Sequence, residues 1–407
     1  MKDVFITNTQ TKTTSLSQAL LWFGAAVSIA EILTGAIIAP LGLANGTLAI
    51  LLGHIIGCAI FYFTGLIGAK SKLPAIESTR ISFGKYGSYM FSVLNILQLL
   101  GWTAVMIISG SKALSAITTQ SFGFTNEALW CVLIGALISI WILIGVKNLT
   151  KINIFAIGSL LVCSIILCFT VFSGAPIATS GLEDSMSFGA AVELSAIMPL
   201  SWLPLISDYT KDVKSEKLGT LFSTGGYFIG SCLMYIIGLG AAIYTGTSDI
   251  ASILLAAGFS TVALLIVILS TVTTTFLDAY SAGISFININ KKANEKVAGL
   301  VVCALGVAIA IFTPIEQYQD FLYLIGSVFA PLFAILLTDY FVFKITKVNE
   351  KQAINIKNII IWAIGVFIYR SLMTFDSPIG TTLPVMIIIS VLCIIINGGI
   401  KLCSKKS

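Results

Sequence analysis

Long apolar stretches recur along the whole of this 407-residue chain, and they constrain its fold more than any other feature. A helix needs about 20 mostly apolar residues to cross the hydrocarbon core of a bilayer. Only 10% of the residues are charged, whereas a soluble protein carries about 25%. The sequence therefore predicts an all-α, polytopic membrane protein whose surroundings are the lipid bilayer.

Twelve spans fit the pattern of apolar stretches. They lie near residues 18–39, 47–68, 88–110, 128–146, 152–173, 188–206, 219–244, 257–287, 297–313, 321–343, 358–374 and 382–400. The stretch before the first span is polar and has no apolar signal-peptide core. We therefore expect a short cytoplasmic tail at the N-terminus.

The basic residues support this count, because cytoplasmic loops of membrane proteins are rich in Lys and Arg. With twelve spans, all of the 23 basic residues except Lys112 and Arg370 fall in alternate segments. The loss or gain of one span would destroy this alternation. The pattern predicts that both termini are cytoplasmic and that the chain lies in the plasma membrane. The net charge of +5 reflects the same bias and does not indicate a nucleic-acid partner.

Cysteine and histidine offer no sign of a metal centre or a disulfide framework. The eight cysteines are scattered, and no CxxC pair or Cys/His cluster occurs. The single histidine, His54, lies in the middle of the second span, where a helix-packing role with a bonded neighbour is favoured over a functional one. We expect no cofactor apart from a coupling ion.

The order of the spans indicates two halves of opposite orientation in a single domain, residues 1–407. Span 1 runs outward and span 6 runs inward, so a repeat of five spans is inverted, with halves near 18–173 and 188–343 and extra helices at 358–400. Inverted repeats are common in secondary transporters, where the substrate lies near the midplane between interrupted helices.

Spans 1 and 6 are the candidates for interrupted helices. Span 6 contains Pro199 and Pro204, each of which lacks an N–H and clashes with the preceding turn. Unpaired backbone groups at membrane depth are tolerated where they line a cavity. We expect the prolines to open the helix, so that the segment containing Ser201 and Trp202 faces a ligand; an ordinary proline kink is the alternative.

Acidic residues inside a membrane are functional by default, because they are costly. Glu31 in span 1 is the strongest candidate, since no basic residue lies at a matching depth; it must be protonated or paired with a cation or a donor-rich substrate. Asp278 also lies at depth. Glu193 is equally consistent with a structural and a functional role. Asp208 and Asp339 lie near cytoplasmic ends, where helix capping or pairing with lysines is expected.

Two further groups of side chains have spacings that fit a ligand or an ion. Gln98 and Trp102 are four residues apart and share a helix face, so the indole can stack on a flat heteroaromatic ring while the amide bonds its edge. Thr271, Thr274 and Thr275 also share a face, and hydroxyls are the hard oxygen ligands that Na⁺ prefers. Hydroxyls that bond carbonyls of their own helix are the alternative, and the spacing does not decide between the two.

Several segments resemble the nucleobase–cation symporter family 1, and within it the CytX-type hydroxymethylpyrimidine permeases. The segments are LWFGAAVSIAEILTG (Leu21–Gly35), LQLLGWTAVMI (Leu97–Ile107), MPLSWLPLISDYTK (Met198–Lys211), STVTTTFLDAYSAG (Ser270–Gly283) and FLYLIGSVFAPLFAILLTDYFV (Phe321–Val342). The resemblance implies the five-plus-five inverted-repeat fold of the leucine transporter with two extra C-terminal helices. It also implies cation-coupled uptake by alternating access, usually with Na⁺.

The resemblance also implies positions for the ion. Relatives bind Na⁺ through two main-chain carbonyls on span 1, which match Ala26 and Ile29, and through a carbonyl and two hydroxyls on span 8. The span 8 positions match Thr271, Thr274 and Thr275.

For the substrate, the resemblance implies a pyrimidine stacked on Trp102, with Gln98 as the nearest match, offset by one residue, to a glutamine that binds the ring edge. Two positions depart from the family pattern. The span 6 aromatic position falls at Pro199 rather than at Trp202, and the span 8 asparagine of relatives is replaced by Asp278 and Tyr280. The substrate is therefore expected to differ from cytosine.

Taken together, the sequence predicts a cation-coupled importer of a pyrimidine, most specifically the thiamine precursor hydroxymethylpyrimidine. A 4-aminopyrimidine offers a protonatable ring nitrogen beside an amine, and the carboxylate of Glu31 can accept from both. The alternatives are a cytosine or purine permease and proton coupling through Glu31. An intramembrane enzyme would need clustered His or Asp, and a channel would need repeated pore segments; the sequence has neither.

Overall fold

The computed structural model describes residues 12–144, 186–248, 261–312 and 318–404, with individual residues between 155 and 169. In chain order the helices are α1 (Ser15–Ala26), α2 (Ile29–Ile37), α3 (Gly42–Ser71), α4 (Ala75–Ser78), α5 (Arg80–Phe122), α6 (Glu127–Ile144), α7 (Phe188–Ser201), α8 (Leu203–Thr210), α9 (Glu216–Thr245), α10 (Thr261–Ile289), α11 (Glu295–Phe312), α12 (Tyr318–Leu337), α13 (Ile356–Leu372) and α14 (Thr382–Ser404). A π-helical turn, Thr338–Val342, continues α12. The all-helical class is confirmed, while most of the predicted span 152–173 lies outside the described residues.

Seven helices of the described part are long and apolar enough to cross a membrane, and the pair α1–α2 makes an eighth, broken span. The chain is therefore a multi-pass membrane protein. Spans 1 and 6 of the sequence each correspond to two helices, α1–α2 and α7–α8.

The interruption of span 1 is large. The axes of α1 and α2 differ by 56° across a two-residue break. Ser28 caps α2, because its Oγ accepts from the N–H of Glu31 at 3.4 Å, as serine commonly does at this position. The last carbonyls of α1 have no donor within that helix. The expected interruption of span 1 is therefore present.

The interruption of span 6 is smaller than the two prolines suggested. Only Trp202 separates α7 from α8, and residues Phe188–Thr210 form one span. The N–H of Leu205 bonds Trp202 O at 3.0 Å, which deprives Ser201 O of its normal helical donor. The expectation that the prolines open the helix is thus corrected: they free main-chain carbonyls but do not redirect the span.

Glycines bring the main chains of α2 and α9 into direct contact. A Cβ at Gly35 would lie 2.1 Å from Tyr235 O, and one at Gly238 would lie 2.0 Å from Ile32 O. Small residues commonly permit such close approach in membranes. This contact holds the middle of span 1 against the seventh span.

The described helices pack in two groups. The first contains α1, α2, α3, α7 and α9, which belong to spans 1, 2, 6 and 7; the second contains α5, α6, α10 and α11, which belong to spans 3, 4, 8 and 9. Helix α2 also contacts α5 and α10. The interrupted first span therefore lies where the two groups meet.

The C-terminal helices are attached to span 6 through Glu193. Its carboxylate accepts from the main-chain N–H groups of Thr381 (2.6 Å) and Thr382 (2.7 Å), from the Thr382 hydroxyl (2.6 Å) and from the Tyr369 hydroxyl. A carboxylate at a helix N-terminus is favoured by the helix dipole. Glu193 therefore has a structural role, which the sequence had left open.

Candidate functional site

Gln98 on α5 lies beside the interruption of span 6. Its Nε2 donates to Ser201 O at 2.6 Å, while its Oε1 is buried and has no partner in the described structure. This bond replaces the helical donor that Ser201 O lost at the break. The amide is thereby fixed in one orientation, in which its Oε1 remains as an acceptor without a donor.

Asn95, one turn before Gln98 on the same face, repeats this arrangement. Its Nδ2 donates to Ser285 Oγ of α10 at 2.8 Å, and its buried Oδ1 has no partner within the described residues. The sequence analysis missed Asn95; its spacing of three from Gln98 was the available signal. Two unsatisfied acceptors therefore lie next to each other on α5.

Asp278 on α10 is a third acceptor without a partner. It is only 4% exposed and forms no hydrogen bond or ion pair with any described residue. A buried carboxylate is costly unless a proton, a cation or a hydrogen-bond donor neutralises it. Asp278 is the predicted substrate residue whose surroundings most require a ligand.

Trp102 is 7% exposed and makes edge-to-face contacts with two rings. The distance between ring centroids is 6.1 Å to Tyr318 and 5.5 Å to Phe321. Tyr318 in turn shares a hydrogen bond of 2.8 Å with Thr34 Oγ1 on α2. Trp102 therefore lies near the broken first span, as expected. Its neighbours Tyr318 and Phe321 were not anticipated from the sequence.

Trp202 does not lie against Trp102 but belongs to a separate aromatic cluster. Its ring makes edge-to-face contacts with Trp22, at 5.6 Å, and with Tyr227, at 6.4 Å. Pro199 lies inside α7. Neither residue is seen as a second stacking partner for a ligand on Trp102.

Glu31 is turned toward α9 rather than being left free. Its Oε1 bonds the Tyr227 hydroxyl at 2.8 Å and its Oε2 bonds Ser231 Oγ at 2.7 Å. Ser231 Oγ also bonds His54 Nε2 at 2.6 Å, so the histidine has bonded neighbours as expected. This geometry does not support the hypothesis that Glu31 reads the substrate edge, because both of its oxygens already have partners.

Three other residues singled out in the sequence take part in structural contacts. Tyr280 stacks on Phe276, and its hydroxyl donates to Glu295 at 3.4 Å. Asp208 caps α4 by accepting from the N–H of Ala75 at 2.8 Å. Asp339 accepts from Asn358 Nδ2 at 3.0 Å and also interacts electrostatically with Lys357.

The threonines of the predicted cation site are all buried on α10, which contacts α2. Thr275 Oγ1 donates to Thr271 O at 2.6 Å, which is the back-bonding alternative, while Thr271 Oγ1 has no partner within the described chain. Thr274 lies on the same face. The Thr271 side chain packs at Gly110 of α5, where a Cβ would lie 2.9 Å from its Oγ1, so this hydroxyl faces the third span.

On span 1, Ala26 is the last residue of α1 and Ile29 is the first residue of α2. The carbonyl of Ala26 is in the last turn, where helical donors are missing. The two residues flank the break as the prediction requires, and their role as ligands stays a prediction. No group of three or more His, Cys, Asp or Glu side chains able to hold a metal occurs in the described part.

A broken first span beside buried, unsatisfied polar groups defines a membrane transporter of the secondary type. The chain belongs to the nucleobase–cation symporter family, since the family profile "Permease for cytosine/purines, uracil, thiamine, allantoin" matches residues 5–389. Members of this family are permeases and not enzymes.

Individual relatives agree with this assignment. The cytosine permease of Escherichia coli K12 is 24% identical over 306 residues, covering 72% of this chain and 69% of the relative. The hydantoin permease of Microbacterium maritypicum is 23% identical over 380 residues, covering 86% and 77%. The inward-facing conformation of Mhp1 shares the fold with a TM-score of 0.79, at 18% identity and coverage of 97% and 92%.

Proposed function

We propose that the protein is a cation-coupled secondary transporter that imports a pyrimidine, most specifically hydroxymethylpyrimidine. The observation that carries this proposal is a set of acceptors: the buried Asn95 Oδ1 and Gln98 Oε1, which have no partner in the described structure, and the carboxylate of the buried Asp278, which forms no hydrogen bond with a described residue. A buried acceptor left unsatisfied costs about 1–3 kcal/mol. A ligand that brings N–H donors removes this cost.

The acceptors favour an aminopyrimidine over an oxo-pyrimidine. An aminopyrimidine presents an exocyclic amine beside a ring nitrogen that can take a proton, and a carboxylate can accept from both in a charge-assisted pair. We assign this role to Asp278, because both oxygens of Glu31 are already bonded to α9. Trp102 supplies an aromatic surface for the ring.

Cytosine is the second candidate substrate. It is also a 4-aminopyrimidine and offers the same edge to Asp278. The similarity to a cytosine permease supports it, whereas the departure from the family pattern at Pro199 favours a different pyrimidine. A purine is a weaker candidate.

We propose Na⁺ as the coupling ion, held between the carbonyls of Ala26 and Ile29 and the hydroxyl-bearing residues Thr271, Thr274 and Thr275. The break after Ala26 and the contact between α10 and α2 support this site. An ion at the break would compensate for helical bonds that the two halves of span 1 lack.

The proposed architecture has twelve spans in one domain, residues 1–407, in the plasma membrane with both termini cytoplasmic. Residues 18–173 and 188–343 form inverted repeats, followed by extra helices at 358–400. The two packing groups support the repeat, because spans 1 and 2 pack with spans 6 and 7, and spans 3 and 4 pack with spans 8 and 9. Alternating access then arises from rocking of the first group against the second.

The test is competition for uptake of labelled hydroxymethylpyrimidine into proteoliposomes. Unlabelled hydroxymethylpyrimidine and cytosine are expected to compete, while uracil and hypoxanthine leave uptake unchanged. Replacement of Na⁺ by choline is expected to abolish concentrative uptake. Effective competition by uracil would contradict the role of Asp278, and uptake unaffected by choline would contradict Na⁺ coupling.

A further inference from the structure

Helices α5 and α13 lie side by side and run in the same direction. A Cβ at Gly87 of α5 would lie 3.6 Å from Ile359 Cδ1 of α13. One turn further along, the rings of Phe91 and Trp362 meet edge to face with their centroids 5.4 Å apart. Because both contacts advance together along the two helices, the helices are parallel.

Beside this contact, each helix exposes a stripe of apolar side chains that share one helix face. The exposed residues are Tyr86, Val93 and Leu97 on α5 and Ile356, Ile360 and Ile364 on α13. At about 3.6 residues per turn, the α5 stripe lies about a third of a turn before the contact face and the α13 stripe about a third of a turn after it. In two parallel neighbours these opposite offsets point the same way, so both stripes lie on one side of the helix pair.

The length of the α5 stripe matches one leaflet of a bilayer. With a rise of about 1.5 Å per residue, the helix advances about 16 Å from Tyr86 to Leu97. This is about half of the hydrocarbon thickness of a bilayer, which is about 30 Å. Both stripes begin at helix ends that follow Lys- and Arg-rich segments, and such segments mark the cytoplasmic side. The stripes therefore fit the acyl chains of the cytoplasmic leaflet.

Lys85 lies at the cytoplasmic end of the α5 stripe and is exposed. Its Nζ is 5.8 Å from the ring centroid of Tyr86 and 6.0 Å from that of Tyr89. Within the described part of the chain, no acidic side chain forms an ion pair with it. The rings hold the ammonium group in place but leave its charge uncompensated. A positive charge at this depth attracts the anionic lipids of the cytoplasmic leaflet.

Helix α11 provides a comparison within the same molecule. It also exposes an apolar stripe, formed by Val297, Val301 and Leu305. The lysine at the start of this helix, Lys296, donates from Nζ to the main-chain carbonyl of Leu143 at 3.0 Å. An exposed apolar stripe alone is expected on any lipid-facing helix. The surface of α5 and α13 differs because a lysine held between two tyrosine rings stands at its end.

We propose that the surface formed by the α5 and α13 stripes binds an anionic phospholipid of the cytoplasmic leaflet. Lys85 contacts the phosphate, Tyr86 and Tyr89 lie beside the headgroup, and an acyl chain lies along the stripes. Helix α5 belongs to the second packing group, whereas α13 is tied to α7 by the Tyr369–Glu193 hydrogen bond. The lipid therefore bridges these two parts of the molecule. The choice of leaflet rests on the orientation proposed above, whereas the lipid site does not depend on the substrate.

Native mass spectrometry of the purified full-length protein tests the proposal. Phosphatidylglycerol and phosphatidylcholine with identical acyl chains are added at equal concentrations, and the wild type is expected to retain phosphatidylglycerol preferentially. Lys85→Gln should reduce this preference about fivefold, which corresponds to about 1 kcal/mol for one lysine at an anionic membrane surface. Lys292→Gln removes the same charge at an exposed position between α10 and α11 and should leave the preference unchanged.

Photo-crosslinking of the wild type locates the lipid without any substitution. Phosphatidylglycerol with a diazirine in its acyl chain is expected to label α5 and α13 more than α11, and unlabelled phosphatidylglycerol should compete better than phosphatidylcholine. Equal retention of the two lipids, equal losses in Lys85→Gln and Lys292→Gln, or equal labelling of α11 would overturn the proposal. Displacement of the lipid by inorganic phosphate at a matched concentration would also overturn it, in favour of a site for free anions.

Discussion

Gln98 and Ser201 join the third span to the interruption of the sixth, through a hydrogen bond of 2.6 Å from the side-chain amide to the main-chain carbonyl. The carbonyl is available because Leu205 bonds Trp202 O instead. The same bond determines which atom of Gln98 remains as a free acceptor. A local defect in one helix and the orientation of an amide in the proposed binding site are therefore coupled.

Gln98→Glu is expected to weaken substrate binding. A carboxylate cannot donate to Ser201 O, so the side chain loses the hydrogen bond that fixes its orientation toward a ligand. A loss of about 1–3 kcal/mol in the ligand contact corresponds to a factor of about 5 to 150 in affinity. The same change at the exposed Gln120, near the end of α5, is the control. Equal affinities of the two variants in equilibrium binding would contradict this role.

Asp278→Asn is expected to reduce affinity for hydroxymethylpyrimidine by about 10- to 100-fold, because an amide removes the charge that strengthens the paired hydrogen bonds. Isothermal titration on the detergent-purified protein measures the effect. Asp320→Asn, at an exposed position in the first turn of α12, is the matched control. Wild-type affinity in Asp278→Asn would remove this residue from the site.

Glu31→Ala is expected to act mainly on stability. It leaves the hydroxyls of Tyr227 and Ser231 without their buried acceptor, and each unsatisfied group costs about 1–3 kcal/mol. The melting temperature of the purified protein should therefore fall, while the affinity of the folded fraction stays close to wild type. A normal melting temperature with lost affinity would return Glu31 to the substrate site.

Thr274→Val is expected to raise the Na⁺ concentration needed for half-maximal uptake, because valine keeps the shape but removes a buried hydroxyl of the proposed cation site. Thr103→Val is the control, since the Thr103 hydroxyl donates to Leu99 O of its own helix. Uptake measured over a series of Na⁺ concentrations distinguishes the two variants. An unchanged Na⁺ requirement in Thr274→Val would exclude its hydroxyl as a ligand.

The break in span 1 was predictable, whereas the form of span 6 was not. Pro204 falls in the first turn of α8, where a main-chain N–H has no helical acceptor, so the helix tolerates it. Pro199 packs at Gly57, where a Cβ would lie 2.4 Å from its Cγ. Such compensation depends on a helix that is distant in sequence, and the local pattern of prolines carries no information about it.

The candidate site shows the same limit. Trp102 and Gln98 were recognisable because their spacing alone puts them on one helix face. The orientation of Glu31 was not, because its partners Tyr227 and Ser231 lie about 200 residues further along the chain. Tertiary packing decides which acid has hydrogen-bond donors and which has none. For this reason the proposed substrate contact is Asp278 and not Glu31.

The four hydrogen bonds to Glu193 have a consequence for the last two helices. Truncation of the protein before Tyr369 would remove every group that now donates a hydrogen bond to this carboxylate. The carboxylate of Glu193 would then be left without a hydrogen-bond donor on span 6. The last two helices, α13 and α14, are therefore required for a stable span 6. Any motion of α7 must either carry α13 and α14 along or break these four hydrogen bonds.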